Sequence, residues 1–101
     1  MIFVVWNDII ERSWSLLPTI SMFYGIIIRM YYTDHNPPHI HAYYNDSIAS
    51  FDFDGNLIKG FMSEKQLKLI QAWVLLHKDE LNANWALSKN SVKPFKIKPL
   101  N

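Results

Sequence analysis

Cysteine is absent from the 101-residue chain. The protein can therefore form no disulfide, no thiolate metal site and no cysteine-based active site. This composition is compatible with a reducing compartment, and we expect a cytoplasmic protein. No apolar run reaches the roughly 18 residues that a membrane-spanning helix requires, so we expect no membrane partner.

A strong charge of either sign is also missing, because ten Lys and Arg residues stand against nine Asp and Glu residues. Domains that hold nucleic acid usually show a strongly basic balance, which this chain lacks as a whole. A glycine-rich phosphate loop, a serine nucleophile elbow and a paired-carboxylate signature are absent too. Half of the residues are hydrophobic, which suffices for one compact domain and leaves no room for two.

The extension at residues 1–17 has apolar positions that recur at helical spacing. We predict an amphipathic helix there, and the alternative is a leader that docks loosely upstream of the domain. Asp8 and Glu11 interrupt the apolar segment, which argues against a secretory signal. Pro18 disfavours a helical conformation at the residue before it, so we place the single domain at residues 18–101.

β-Branched and aromatic residues dominate several segments after Pro18, as is typical of strands. Turns are predicted at Gly25, at Asn45-Asp46 and at Asp54-Gly55, which indicates an antiparallel meander. The predicted strands are 19–24, 26–32, 39–45, 47–53 and 57–60.

A helical pattern follows the meander. Ser63 and Gln66 have the spacing of a capping box, and apolar positions keep helical spacing to about Lys89, with a break expected near residues 77–79. Residues 95–98 alternate apolar and basic side chains, which predicts a last edge strand. The expected fold class is α+β: a small antiparallel β-sheet with a helical layer on one face, plus an N-terminal helical extension.

Residues 31–44 hold three of the four histidines, two adjacent prolines and four tyrosines. Residues two positions apart on a strand point to the same face, so His39 and His41 should lie side by side, about 7 Å apart along the chain. They could bind a divalent metal together, or they could act as general acid and base near neutral pH. The residues that would complete a metal site are Asp34, His35, His77 and Glu80.

The alternative role of these histidines is structural, because they would hold the Pro37-Pro38 loop against the helix through hydrogen bonds. Asp34 likewise has a commoner role as the cap of its own loop. For an enzymatic site, the catalytic candidates are His35, His39, His41 and Asp34.

Arg29 is the one charge within an apolar strand. A buried charge requires a partner, or it could equally bind a phosphate group. We take Arg29, Tyr31 and Tyr43 as the substrate-binding candidates, although tyrosines of this kind are more often half-buried strand residues. The acidic residues that would serve as partners of the arginine are Asp34, Asp52 and Glu80.

Two further features are candidates for a part in the site. His77 and Glu80 lie three residues apart on the helix and could support the site as second-layer residues. The commoner alternative is a satisfied pair on the helix surface. Lysines gather at positions 89, 93, 96 and 98. If the lysines share a face with the histidines, that face could hold an RNA backbone, and the alternative is a solvated edge strand that lysines protect from aggregation.

The string Asp34-His35-Asn36-Pro37-Pro38-His39-Ile40-His41-Ala42 is highly specific. Together with residues 18–26, with Trp73 and Trp85, and with residues 95–100, it resembles the bacterial domain-of-unknown-function 4160 family. The resemblance covers residues 18–100, and residues 1–17 depart from the family pattern.

The resemblance implies a toxin-like protein that is encoded beside a partner of the domain-of-unknown-function 2442 family, as in a type II toxin–antitoxin module. It brings no established reaction with it. We therefore expect a toxin that acts on RNA or a nucleotide through its histidines, with the neighbouring antitoxin as its protein partner. The alternatives are a non-enzymatic protein-binding module with structural histidines, which the aromatic content favours, and a metal-dependent hydrolase. A homo-oligomer is compatible with each of them.

Overall fold

The computed structural model describes residues 18–32 and 35–101. Five antiparallel strands form one sheet, and their order in space follows their order in the chain. The predicted meander and the α+β class are confirmed. The strands are β1 (Thr19–Phe23), β2 (Ile26–Arg29), β3 (His39–Tyr44), β4 (Ser47–Asp52) and β5 (Leu57–Gly60).

The predicted turns join consecutive strands. Tyr24 and Gly25 both have positive φ, at 49° and 79°, which is the backbone that a two-residue hairpin requires. Asn45 opens the β3–β4 turn with φ 51°. Asp52 closes the β4–β5 connection, since one carboxylate oxygen accepts the N–H groups of Asp54 and Asn56, each at 2.9 Å.

Two helices follow the sheet, namely α1 (Glu64–Leu76) and α2 (Lys78–Lys89). His77 separates them with φ −117° and ψ 24°, so the break expected near residues 77–79 is confirmed. Ser63 is the N-cap residue of α1, but the hydrogen bonds of a capping box are not formed. The hydroxyl of Ser63 donates to the side-chain oxygen of Gln66 and makes no hydrogen bond to the backbone of the first turn.

The core lies between one sheet face and the two helices. Strand alternation turns Ile28, Ile40 and Phe51 towards this layer, where all three are fully buried. Trp73 of α1 is fully buried as well, and its ring centroid lies 5.4 Å from that of Phe23. The opposite face, which we call the outer face, carries half-buried side chains. These outer-face residues include Arg29, His41, Tyr43 and Ser50.

The expected edge strand at residues 95–98 is not a strand. The segment lies beside β1 with one backbone hydrogen bond to it, from Ile97 N–H to Ile20 O at 2.8 Å. Other backbone groups of this segment form hydrogen bonds with side chains of the helices. The side chain of Asn84 bonds to the backbone N–H and C=O of Phe95, and Trp73 Nε1 donates to Lys98 O.

The predicted helix at residues 1–17 and the candidate Asp34 lie outside the described residues. Within residues 18–32 and 35–101, neither helix has the length and apolar character to span a membrane.

Candidate active site

The outer face brings residues of different strands into one row. Arg29 of β2 lies opposite His41 of β3, and His41 lies opposite Ser50 of β4. Thr19 of β1 and Lys59 of β5 extend the row to both edges, as the partners of Arg29 and Ser50. Neighbouring strands are about 4.8 Å apart, so these side chains form one continuous polar track.

His39 enters this face at the start of β3 and is only 6% exposed. Its Nδ1–H donates to the carbonyl oxygen of Pro37 at 2.6 Å. Its ring centroid lies 5.4 Å from that of Trp85 on α2. These are contacts of the kind that a structural role predicts, since they connect the proline loop through His39 to the helical layer. The role of His39 stays a prediction.

Three imidazoles follow one another in space. The centroid of His39 lies 5.7 Å from that of His35 and 4.8 Å from that of His41. His35 is exposed and His41 is half-buried. The expectation that His39 and His41 share a face is confirmed, and the loop adds the third ring beside them.

His41 is held by its neighbours on the outer face. Its ring stacks on Tyr31 with centroids 4.2 Å apart and planes inclined by 9°. Its Nδ1 lies 3.5 Å from the hydroxyl of Ser50. Stacking fixes the ring plane, so the imidazole is presented in one orientation.

Arg29 carries a half-buried positive charge beside His41. Its guanidinium lies over the ring of Tyr43, 5.1 Å from the centroid. Its Nε is buried without a hydrogen-bond partner, and in the described part of the chain no carboxylate lies within ion-pair distance. The expected pairing with Asp52 or Glu80 is thus wrong: Asp52 is occupied by its turn, and Glu80 is occupied by His77.

The three predicted substrate-binding residues come together. The hydroxyls of Tyr31 and Tyr43 share a hydrogen bond, while Tyr43 lies under Arg29 and Tyr31 lies on His41. Both tyrosines are half-buried; Tyr43 lies on β3, whereas Tyr31 follows the end of β2. Their contacts connect the arginine to the histidine.

Asp52 lies at the end of β4, opposite His39. Burial alone would raise the pKa of this carboxyl, but hydrogen bonds from Asn56 and Asp54 and the nearby charge of Lys78 outweigh burial and lower the pKa. The ionised carboxylate is therefore favoured, and it is engaged in its own turn.

His77 and Glu80 lie at the junction of the two helices. His77 Nδ1 is 2.5 Å from a carboxylate oxygen of Glu80, and its ring lies 5.5 Å from that of Trp73. We call the three neighbouring rings of His35, His39 and His41 the histidine row. Trp85 of the helical layer contacts this row through His39. A supporting role for His77 and Glu80 stays a prediction.

Among the described residues, no group of three or more His, Cys, Asp or Glu side chains is arranged to hold a metal ion. Asp34, one of the predicted ligands, lies outside those residues. A metal bound by His39 and His41 stays a prediction.

Sequence reasoning missed Ser50 and Trp85 as neighbours of the histidines. Ser50 could have been found from the predicted hairpin, because the two-residue turn sets which β4 residue faces His41. Trp85 could not, since its contact depends on how α2 packs on the sheet.

The comparisons with known proteins agree with the histidine string. A sequence model of the domain of unknown function 4160 family (DUF4160) matches residues 25–86, which is more than half of the chain. The protein belongs to this family. No match was found among the curated proteins or among the solved structures.

Proposed function

We propose that the protein is the toxin of a bacterial type II toxin–antitoxin module and that it cleaves RNA by acid–base catalysis from its histidines. The toxin role and the neighbouring antitoxin partner come from the family resemblance. The reaction class comes from the chemistry of the outer face.

The observation that carries the proposal is Arg29 beside His41. A half-buried guanidinium without a carboxylate partner in the described chain is a site for an anion, because leaving such a charge uncompensated is costly. A guanidinium also matches the geometry of a phosphate group. A phosphate held by Arg29 would therefore lie next to the imidazole of His41.

The cleavage uses groups that the outer face offers. One neutral imidazole removes the proton of a ribose 2′-hydroxyl, whose oxygen attacks the adjacent phosphorus. A second, protonated imidazole donates its proton to the leaving 5′-oxygen, so that a 2′,3′-cyclic phosphate and a 5′-hydroxyl form. Arg29 stabilises the negative charge that grows on the phosphoryl oxygens.

The difference in burial supports a division of roles among the three imidazoles. His35 and His41 are the more exposed rings, whereas His39 is 6% exposed. His39 donates to Pro37 and so sets the position of the loop that carries His35. We assign His35 and His41 to proton transfer and His39 to positioning.

The direct test is cleavage of a labelled RNA oligonucleotide by the purified wild type, by His41→Ala and by Arg29→Gln. Removing a general acid or base should slow cleavage by roughly 100-fold or more. Products should carry a cyclic phosphate, and a 2′-deoxy substitution at the cleaved position should stop the reaction because the nucleophile is missing.

His77→Ala is the comparison variant, because it removes an imidazole whose described contacts lie at the helix junction. Unchanged cleavage by this variant would contradict the predicted supporting role of His77. Full activity of a folded His41→Ala protein would contradict the proposed chemistry. A growth assay tests the toxin role separately: the wild type should inhibit growth, and co-expression of the neighbouring gene should relieve the inhibition. No inhibition by the wild type would contradict that role.

The bracing contact of His39 favours the alternative, a protein-binding module whose histidines are structural. In that case a His35→Ala/His41→Ala protein would inhibit growth as strongly as the wild type. It would also still co-elute with the neighbouring protein in size-exclusion chromatography. Loss of growth inhibition with retention of that complex would exclude the alternative.

A further inference from the structure

The segment after α2 lies along the edge of β1 that faces away from β2. Two grooves, of about 640 and 340 Å³, follow each other along this line. Thr19, Met22 and Lys96 line both of them, so the grooves are continuous. We call this surface, formed by residues 18–22 and 93–99, the tail seam.

The tail seam is basic and partly apolar. Lys93, Lys96 and Lys98 line it and are all exposed, and no acidic residue is among its lining residues. Phe95 and Met22 also line it, with 42% and 61% of their surface exposed. Lysines beside an exposed aromatic ring are the combination by which proteins hold single-stranded nucleic acid.

The lysines are carried on a backbone that is held in place. Asn84 makes two hydrogen bonds to the backbone of Phe95, each of 2.8 Å, and Trp73 Nε1 donates to Lys98 O at 2.9 Å. Both helix residues are fully buried. A backbone that is already ordered loses little conformational entropy when its side chains bind a ligand.

The cross-strand register gives the distance between the tail seam and His41. Thr19 lines the seam and lies opposite Arg29, which lies opposite His41. At about 4.8 Å per strand, the seam beyond β1 is about 14 Å from His41. At a stacked rise of about 3.4 Å per nucleotide, this distance corresponds to about four nucleotides.

We infer that the tail seam binds the sugar-phosphate backbone of single-stranded RNA on one side of the cleaved bond. The substrate is therefore an RNA strand of about four nucleotides or more, and a free nucleotide is too short to reach the seam. The inference rests on the proposed function, because it takes His41 and Arg29 as the point of cleavage.

RNA binding at the tail seam and RNA cleavage at His41 are tested separately, by measuring binding and cleavage independently. Lys93→Gln/Lys96→Gln removes two charges from the seam, and Lys65→Gln/Lys68→Gln removes two from the exposed face of α1 as the matched control. Binding is measured by fluorescence anisotropy with a fully 2′-O-methylated decanucleotide at several salt concentrations. Cleavage is measured with an unmodified decanucleotide and with an unmodified dinucleotide.

The seam variant should bind the decanucleotide roughly tenfold more weakly than the control variant does. The slope of log K against log salt should fall by about 1.4, at about 0.7 for each lost phosphate contact on a single strand. Cleavage of the dinucleotide, which is too short for the seam, should be the same in both variants.

Equal binding and equal salt slopes in the two variants, with RNA cleaved by the wild type, would overturn the inference and leave the proposed function standing. Weaker binding by the seam variant, in a protein whose wild type cleaves neither RNA, would support the seam and contradict the proposed chemistry. A wild type that binds an acidic peptide through these lysines and does not bind the decanucleotide would overturn the inference.

Discussion

Asn84 of α2 holds the backbone of Phe95 through two hydrogen bonds. Its Nδ2 donates to the Phe95 carbonyl oxygen and its Oδ1 accepts the Phe95 N–H, each at 2.8 Å. Asn84 is fully buried, whereas Phe95 is 42% exposed. This one side chain attaches the C-terminal segment to the helical layer and thereby positions the tail seam.

Replacing Asn84 by Ala should lower the free energy of unfolding by about 2 kcal/mol, because the N–H and C=O groups of Phe95 lose two hydrogen bonds to a fully buried side chain. Urea denaturation measures the loss. Asn90→Ala is the matched control, since its Nδ2 donates to Ala86 O at 3.0 Å in an exposed position and should cost about 0.5 kcal/mol. Equal losses in the two variants would contradict the assignment.

His39→Ala should destabilise the protein by about 2 kcal/mol, since the variant loses the hydrogen bond to Pro37 and the contact with Trp85. His39→Asn should lose much less, because the amide nitrogen of asparagine can take the place of Nδ1. Thermal unfolding of both variants measures the difference.

The same pair of variants separates bracing from proton transfer at His39. Asparagine does not titrate, so RNA cleavage by a folded His39→Asn protein should stay within a few-fold of the wild type if His39 only positions its neighbours. A loss of roughly 100-fold with intact stability would show instead that His39 itself transfers a proton.

Asp52 should make the stability of the β4–β5 connection depend on pH. Its pKa is lowered in the folded state: burial would raise it, but hydrogen bonds from Asn56 and Asp54 outweigh burial. The stabilisation is therefore present above the unfolded pKa of about 3.9 and is lost as the pH falls through the folded pKa. Asp52→Asn should lower Tm at neutral pH, and the difference from the wild type should shrink in acid.

Asp46→Asn is the control for this prediction, because it removes the same charge from the exposed β3–β4 turn. Its Tm difference from the wild type should be small across the same pH range. A Tm difference for Asp52→Asn that is constant from neutral to acid pH would contradict the role of its ionised form.

Gly60 should tolerate no side chain. Its φ is +90°, and an added Cβ would overlap the carbonyl oxygen of Ile48, which belongs to the backbone of the neighbouring strand. Gly60→Ala should cost about 3 kcal/mol or detach β5. Gly55→Ala shares the positive φ, at +84°, but its Cβ would lie 3.7 Å from Gln71, so it should cost about 1 kcal/mol. Urea denaturation that ranks the two variants in the reverse order would contradict this explanation.

Most of the fold could be predicted from local signals. The positive-φ turns at Gly25 and Gly55 and the strand composition between them define the meander without reference to distant residues. The break at His77 followed from a slip in the apolar spacing. The segment at residues 95–98 could not be predicted, because alternation is equally typical of a ladder strand and of a chain held by buried side chains of distant helices.

The candidate site was predictable in part. Alternation alone places His39 and His41 on one face, and the rings indeed lie 4.8 Å apart. The same rule could not decide that His39 is buried against Trp85 while His41 faces Arg29. Nor could it decide between an acidic partner of Arg29 and the contact with the ring of Tyr43, since three acidic residues were equally compatible with the sequence.

The sequence by itself determined the order of the strands, their turns and the membership of the histidines in one stiff loop and strand, because these properties depend on neighbours along the chain. Only the tertiary structure decided which imidazoles are accessible, that Arg29 lies over the ring of Tyr43 with no carboxylate of the described residues in ion-pair distance, and that the C-terminal lysines lie beside β1. These facts depend on how two helices pack on the sheet and on cross-strand register. Both bring together residues that are far apart in the chain, and local pattern carries no information about such distances.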